Sequence, residues 1–279
     1  VRIHAAAIQI PSAPSAVSEN LERADAWLDH CRCRSVELAV LPEMFNTGYG
    51  LIPDYAPLAE TWEGPTLRHL SQRSRQWKMA IAAGFVERDG RHLYDALGFC
   101  LPDGRVHIYR KRHLVFWEGF RFRPGRHPLV VETPWGRLGF AVCADMIYRG
   151  VWDDYRGRID LAIVSAAWPE FACRESGRRH WLLGRVGPLS REIPARVAED
   201  LGVPVVFANQ CGPTRTAIPL LGARLADRFA GSSSVCDGRS APARWLEGRE
   251  GVVISTLTLH SATKGTMPCH FTFPSVPAA

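Results

Sequence analysis

Two short apolar runs frame the start of the chain, residues 2–10 (RIHAAAIQI) and 36–41 (VELAVL). Each is strand-length and bounded by polar or turn-forming residues. Between them, 17–31 (VSENLERADAWLDHC) carries apolar residues at helical spacing, with Ser18 as the expected N-cap and Glu22 and Asp25 near its start. Strand, helix and strand of these lengths predict an α/β unit rather than an all-helical or all-β fold.

The same grammar continues downstream. Helices are expected near 66–77 and 191–201, and strands at 79–86, 138–143, 159–165, 203–208, 227–236 and 251–259. Asp89-Gly90 and Asp103-Gly104 are hairpin-turn signals that place an antiparallel meander at 80–110, and Asp237-Gly238 marks a later turn. No linker, composition break or fixed-period repeat divides the chain. It therefore reads as one layered α/β domain over 1–260, followed by a Pro-, Ser- and Thr-rich tail at 261–279.

Composition narrows the class. No apolar run reaches the roughly 18 residues of a membrane span, so no membrane partner is expected. The first residues read as a strand rather than a signal peptide. The eight cysteines include no CxxC pair, which leaves a zinc site without support and makes a reducing cytosol the expected compartment. A net charge of +6 raises nucleic acid as a partner, and the densest basic run, 105–127, mixes Arg with aromatics. No nucleic-acid motif accompanies it, so nucleic-acid binding is not expected.

Three apolar strands run directly into a reactive residue. In ELAVLPEMFNTGYG (37–50) it is Glu43, in IYRKRHL (108–114) Lys111, and in GRLGFAVCADMIY (136–148) Cys143. Singly, each has an ordinary reading: a solvated loop glutamate, a surface lysine, a buried inert cysteine. Lys111 stands out because only three of the 34 basic residues are lysines, Lys78, Lys111 and Lys264, and this one sits within an arginine-rich stretch. A compact point charge is what a lysine offers there and an arginine does not.

Together with the blocks AAAIQIPSAPSAVSENLERADAWL, RKRHLVFWEGFRFRPG, SAAWP (165–169), VVFANQCG (205–212) and FAGSSSVCDG (229–238), these three segments resemble the nitrilase superfamily of carbon–nitrogen hydrolases. The resemblance runs from about residue 2 to 258. It implies a four-layer αββα sandwich, a Glu–Lys–Cys triad at Glu43, Lys111 and Cys143, and a further glutamate at Glu118 that orients the lysine or the leaving group. It implies oxyanion stabilisation by Lys111 and the backbone N–H of Ala144, a thioester on Cys143, and no metal or organic cofactor. The implied substrates are small carboxamides or N-carbamoyl compounds, with release of ammonia. Nitrile hydrolysis and acyl transfer to an amine are the alternatives on the same triad. Family members commonly form homodimers or larger assemblies, and the helix expected at about 148–157 and the tail are the candidate contacts here.

The chain departs from the family pattern in two places. CADMIYRG keeps Cys143, Asp145 and Tyr148 but has Arg149-Gly150 where many amidases carry Pro-Glu. Nitrilases more often have Trp-Glu after the cysteine, and Ala144-Asp145 here favours amides. The stretch 170–195 is longer than usual and reads as a surface insertion. Its alternative is a lid whose Arg174, Arg178 or Arg179 holds a substrate carboxylate. Phe45, Asn46, Tyr49, Phe116, Trp117 and Trp168 are the aromatic and polar residues expected near the pocket, with Phe45, Tyr49, Trp117 and Trp168 as its walls. Core packing is the equally ordinary fate of each.

Overall fold

The structure, a computed structural model, describes residues 1–50, 52, 54–170, 188–218, 223–238 and 246–260, with backbone alone at 116, 215–218 and 223–227. The expected tail and Arg174, Arg178 and Arg179 lie outside the described residues. In chain order the first half comprises β1 (Arg2–Gln9), α1 (Val17–Arg32), β2 (Leu38–Val40), α2 (Pro65–Trp77), β3 (Ala80–Asp89), β4 (His92–Cys100) and β5 (Val106–Arg110). The second half comprises β6 (Val130–Thr133), β7 (Gly136–Val142), α3 (Arg149–Asp153), β8 (Leu161–Ala166), α4 (Leu189–Leu201), β9 (Val205–Asn209), β10 (Pro213–Ile218), β11 (Ala223–Arg228), β12 (Ser234–Cys236) and β13 (Gly251–Thr258).

Two sheets form, ordered β13-β1-β2-β3-β4-β5 and β12-β9-β8-β7-β6, with β10 and β11 as a separate hairpin. β1, β2 and β3 pair in parallel, as do β7, β8 and β9. The alternation of strand side chains explains the stacking. Ile3, Ala5, Ala7, Leu38, Val40, Ala80, Ala82, Leu97 and Phe99 join one core with the second sheet and with α3 and α4. Their neighbours Ala6, Ile8, Ala39, Leu41, Ile81, Ala83, Ala96 and Cys100 join another core with Ala24 and Leu28 of α1 and Leu67 and Leu70 of α2. Strands buried on both faces must be apolar throughout, which is why they read as continuous runs. The result is the four-layer αββα sandwich.

The meander is β3-β4-β5, paired antiparallel, and Asp89 faces His92 across the tight turn at Gly90. Several expectations need correction. Ser18 is not the N-cap of α1; Ala16 holds that position without a side-chain bond. The entry is fixed instead by Asn20, whose amide accepts from Ala13 N–H at 2.8 Å and donates to the carbonyls of Ala13 and Asn46, each at 2.8 Å. The strand expected at 227–236 is broken between β11 and β12, where Gly231 and Ser232 both take φ of +61°. A left-handed pair ends strand pairing. The helix expected at about 148–157 is the short α3, followed by turns. Among the described residues no helix is long and apolar enough to cross a membrane.

The basic run 105–127 is not an open cationic face along its length. Arg110 pairs with Glu87 at 2.6 Å and Asp89 at 2.8 Å, Arg112 pairs with Asp154 at 2.7 Å, and Lys111 between them is fully buried.

Candidate active site

The parallel strands β2, β7 and β8 and the hairpin strand β5 end on the same side of the sandwich, and the chain turns there bring Glu43, Lys111 and Cys143 together. Glu43 follows β2 after Leu41 and Pro42. Its backbone is clamped between the sheets: Ser165 Oγ donates to Leu41 O at 2.9 Å, and Gln210 Nε2 donates to Glu43 O at 2.7 Å. Gly84 of β3 permits this passage. A Cβ at that position would lie 2.4 Å from Glu43 Cα and 2.8 Å from both Met44 N and Pro42 O. Those are backbone atoms with nowhere to move. Gly84→Ala is expected to destabilise the fold by about 2–3 kcal/mol through overpacking. Its thermal unfolding midpoint should fall by roughly 3–5 °C, with Glu43 displaced and activity lost, as melts and rate assays would register.

Lys111 lies just beyond β5, and its N–H bonds to Asp95 O at 2.9 Å. The side chain is fully buried, and its ammonium donates to Glu43 Oε1 at 2.6 Å and Glu118 Oε1 at 2.7 Å. A third carboxylate, Asp95 of β4, stands 3.1 Å from the same nitrogen. The oxygens of Glu43, Asp95 and Glu118 lie within 4.8 Å of one another. The lysine ammonium fills the place among them that a metal cation would take. Burial alone would depress the lysine's pKa, but the three carboxylates outweigh it and hold the ammonium firmly charged.

Glu43 Oε2 accepts from Ala167 N–H at 2.6 Å, just beyond β8. Glu118, in a short turn of 3₁₀ helix at Phe116–Phe120, accepts from Tyr49 O–H at 2.7 Å and from Val115 N–H at 2.9 Å. Burial pushes the Glu118 carboxyl upward, against the pull of Lys111.

Cys143 ends β7 and opens a 3₁₀ turn, Cys143–Ile147, with a φ of +47°. A non-glycine residue in the left-handed region is held there by its surroundings. The turn redirects the chain at the thiol, and the N–H of Ala144 follows immediately. The thiol is buried, and its pKa is pushed well above the ordinary thiol value, first by burial and then by Glu43, against the opposing pull of Lys111 and a bond from Ala167 N–H. It is therefore a resting thiol that needs a base to become nucleophilic.

Asp145 ties the lysine and cysteine segments together. Its carboxylate accepts from Tyr109 O–H at 2.8 Å, His113 N–H at 2.9 Å, Arg112 N–H at 3.2 Å and Val142 N–H at 3.2 Å. His113 Nδ1 also lies 3.0 Å away. Asp145→Ala would leave these buried donors without an acceptor. Loss of about 3 kcal/mol or more in urea unfolding is expected, with kcat down at least about tenfold and KM less affected, because positioning is lost rather than substrate contact.

The expected pocket walls divide. Tyr49 and Trp117 pack at 5.1 Å in a cluster with Tyr55, Phe122 and Phe229, and Trp117 stacks on Tyr55 at 5.7 Å. Tyr49 touches Glu118 directly, so this cluster abuts the charged group. Trp168 shares the central core cluster with Cys143, and its backbone is held by Asn209 Oδ1 at 2.8 Å. Phe45 goes elsewhere. It packs with Ile8, Leu41 and Phe85 on the helix-covered side of the first sheet. Met44, with φ of +46°, turns the chain so that successive side chains diverge. Asn46 donates to Thr66 Oγ1 at 3.0 Å and is structural. Sequence reasoning missed Asp95, Gln210 and Ala167 and gave Asp145 no role. Asp95 had a signal: it interrupts the strand HLYDALGFC with an interior charge.

Comparison with known proteins places the chain in a class. The carbon–nitrogen hydrolase family model matches residues 4–264, and the chain belongs to that family. Among its curated relatives, omega-amidase NIT2 of Bos taurus is 29% identical over 179 residues, covering 60% of this chain and 63% of that protein. A nitrilase of Pyrococcus abyssi is 31% identical over 134 residues, covering 47% of this chain and 51% of that protein. The match thus spans just under two thirds of the bovine relative's length. Similar solved structures include a CN-hydrolase superfamily protein of Xanthomonas campestris with an arsenic adduct in its active site, at 23% identity and a TM-score of 0.75, covering 92% of this chain and 91% of that one. An amidase from Nesterenkonia sp. has 20% identity and a TM-score of 0.75, covering 92% and 90%. These two likenesses establish the shared fold.

Proposed function

We propose that the chain hydrolyses the C–N bond of small carboxamides or N-carbamoyl compounds and releases ammonia. The observation that carries this reading is the buried Lys111–Glu43 pair, 2.6 Å apart, set against the raised thiol of Cys143. Glu43 takes the Sγ proton as sulfur bonds to the carbonyl carbon. The developing oxyanion meets the Lys111 ammonium and the Ala144 N–H. The C–N bond breaks as Glu43 returns the proton to the leaving nitrogen, which departs as ammonia. Water then attacks the thioester, giving its proton to Glu43. The C–S bond breaks, the acid leaves, and the thiol is restored. Glu118 accepts a second hydrogen bond from the lysine at 2.7 Å, and Tyr49, Trp117 and Trp168 wall a narrow acyl pocket.

Support comes from the omega-amidase relatives and from a mutant of the Nesterenkonia amidase, in which acrylamide adds to the active-site cysteine. Nitrile hydrolysis is the second reading, favoured by the Pyrococcus relative. A homodimer or larger homo-oligomer belongs to the same proposal and is checked by sedimentation. The deciding experiment is ammonia release from simple amides, ω-amides of dicarboxylic acids, N-carbamoyl compounds and nitriles, with intact-mass detection of an acyl adduct on Cys143. Release from an amide or carbamoyl class with that adduct supports the proposal. Turnover of nitriles alone selects the second reading, and no release from any class overturns both.

A further inference from the structure

Three carboxylates surround one ammonium in a fully buried space, so full ionisation would leave two uncompensated charges there. Their hydrogen bonds differ. Glu118 accepts three, from Lys111 Nζ, Tyr49 O–H and Val115 N–H. Glu43 accepts two on its side chain, from Lys111 Nζ and Ala167 N–H. Those are the surroundings of anions. Asp95 is 3.1 Å from Lys111 Nζ, yet neither of its oxygens accepts an aligned hydrogen bond. A buried carboxylate without donors is costly, whereas a carboxylic acid there has a partner: Glu43 lies beside it, and a protonated oxygen can donate to it.

We propose that Asp95 works as a neutral acid, a positioning residue that donates a hydrogen bond to Glu43 and keeps the cluster at one excess negative charge. The inference rests on the amide-hydrolase reading for its catalytic consequence but not for its protonation state. Burial and the neighbouring Glu43 both push the Asp95 carboxyl up, against Lys111, which agrees with the hydrogen-bond inventory. The groups facing it are Glu43 beyond β2, Lys111 beyond β5, Glu118 in its 3₁₀ turn, and the hydroxyl of Tyr55, whose own proton is held more tightly by burial.

Infrared difference spectra of wild type minus D95N at neutral pH test the proton directly, with circular dichroism to verify folding. A protonated-carboxyl carbonyl band present in wild type, kept in E118Q and lost in D95N is the expected result. Absence of the band from wild type, or its survival in D95N, overturns the proposal. The pH profile of kcat/KM tests the positioning role. D95N keeps a neutral donor, so its acid limb should match wild type. D95A removes the donor that stabilises ionised Glu43, so its limb should move to higher pH by about half a unit or more. A limb that moves down in D95N means Asp95 was ionised, and an unmoved limb in D95A means it only fills space; either outcome overturns the proposal. Should D95A not fold, the infrared band and the D95N profile decide. If wild type turns over no amide, the functional reading fails while the infrared result still stands or falls alone.

Discussion

Cys143→Ala is expected to lower kcat/KM by at least about 10³-fold while leaving the thermal unfolding midpoint within a few degrees of wild type. The activity loss follows from uniqueness of position. Among the described residues, Cys31, Cys100, Cys211 and Cys236 are buried away from the charged cluster. Burial pushes the first three up to about 12 and Cys236 to about 11, and Cys33 is exposed on the surface. None stands at a strand end facing a carboxylate and an ammonium. Stability should change little because alanine inherits the same left-handed backbone and removes only one heavy atom, a loss of about 1 kcal/mol. Steady-state rates and a melting curve on the same preparation check both halves. A variant that unfolds would mean the thiol is mainly a packing element; one that keeps full activity would remove Cys143 as nucleophile.

Lys111→Met should affect both rate and fold. Removing the ammonium leaves the Glu43 and Glu118 carboxylates, which it now bonds, buried with no counter-charge. Breaking a buried ion pair from one side costs about 3–5 kcal/mol, so the midpoint should fall by roughly 5–9 °C. kcat/KM should fall at least about 10²-fold with the loss of the oxyanion's cation. The stability loss carries a pH signature. Asp95 and Glu118 have folded pKa values raised above the unfolded carboxyl, chiefly by burial, and without Lys111 that rise must grow. Groups raised in this way stabilise the fold while protonated, and that contribution is lost as pH rises. The deficit relative to wild type should therefore shrink as pH falls from 7 toward 5. Melts across that range check it; a pH-independent deficit would mean the carboxylates are not what the lysine neutralises. Lys111→Arg should not rescue activity. Three carboxylate contacts of 2.6, 2.7 and 3.1 Å converge on one nitrogen, and a planar guanidinium cannot present its charge at a single point. That geometry explains a lysine inside an arginine-rich segment.

Much of the layering was legible in advance because its physics is local. Strands buried on both faces leave continuous apolar runs, and Asp-Gly pairs mark turns by the backbone freedom of glycine. Glu43, Lys111 and Cys143 stood out for a related reason: each comes where an apolar strand stops. What misled was context. Ser18 has the chemistry of a cap, but Asn20 reaches the loop that needs closing. Phe45 sits two residues from Glu43, but a single left-handed residue sends its ring to the far side of the sheet.

The sequence by itself determined a layered α/β domain and the three reactive strand ends, since side-chain period and strand length are properties of short segments, while the four-layer αββα order came from the family resemblance. Only the tertiary structure decided that the lysine lies among three carboxylates rather than two, that Asp145 joins the lysine and cysteine segments, and that Gly84 makes room for Glu43. Those facts depend on residues 36 to 68 positions apart in the chain meeting within a few ångströms, Tyr109 and Asp145, Gly84 and Glu43, Asp95 and Glu43, and Lys111 and Glu43 among them. No local pattern encodes such distances, because they are set by which strands pair within the first sheet and by how the second sheet stacks on it.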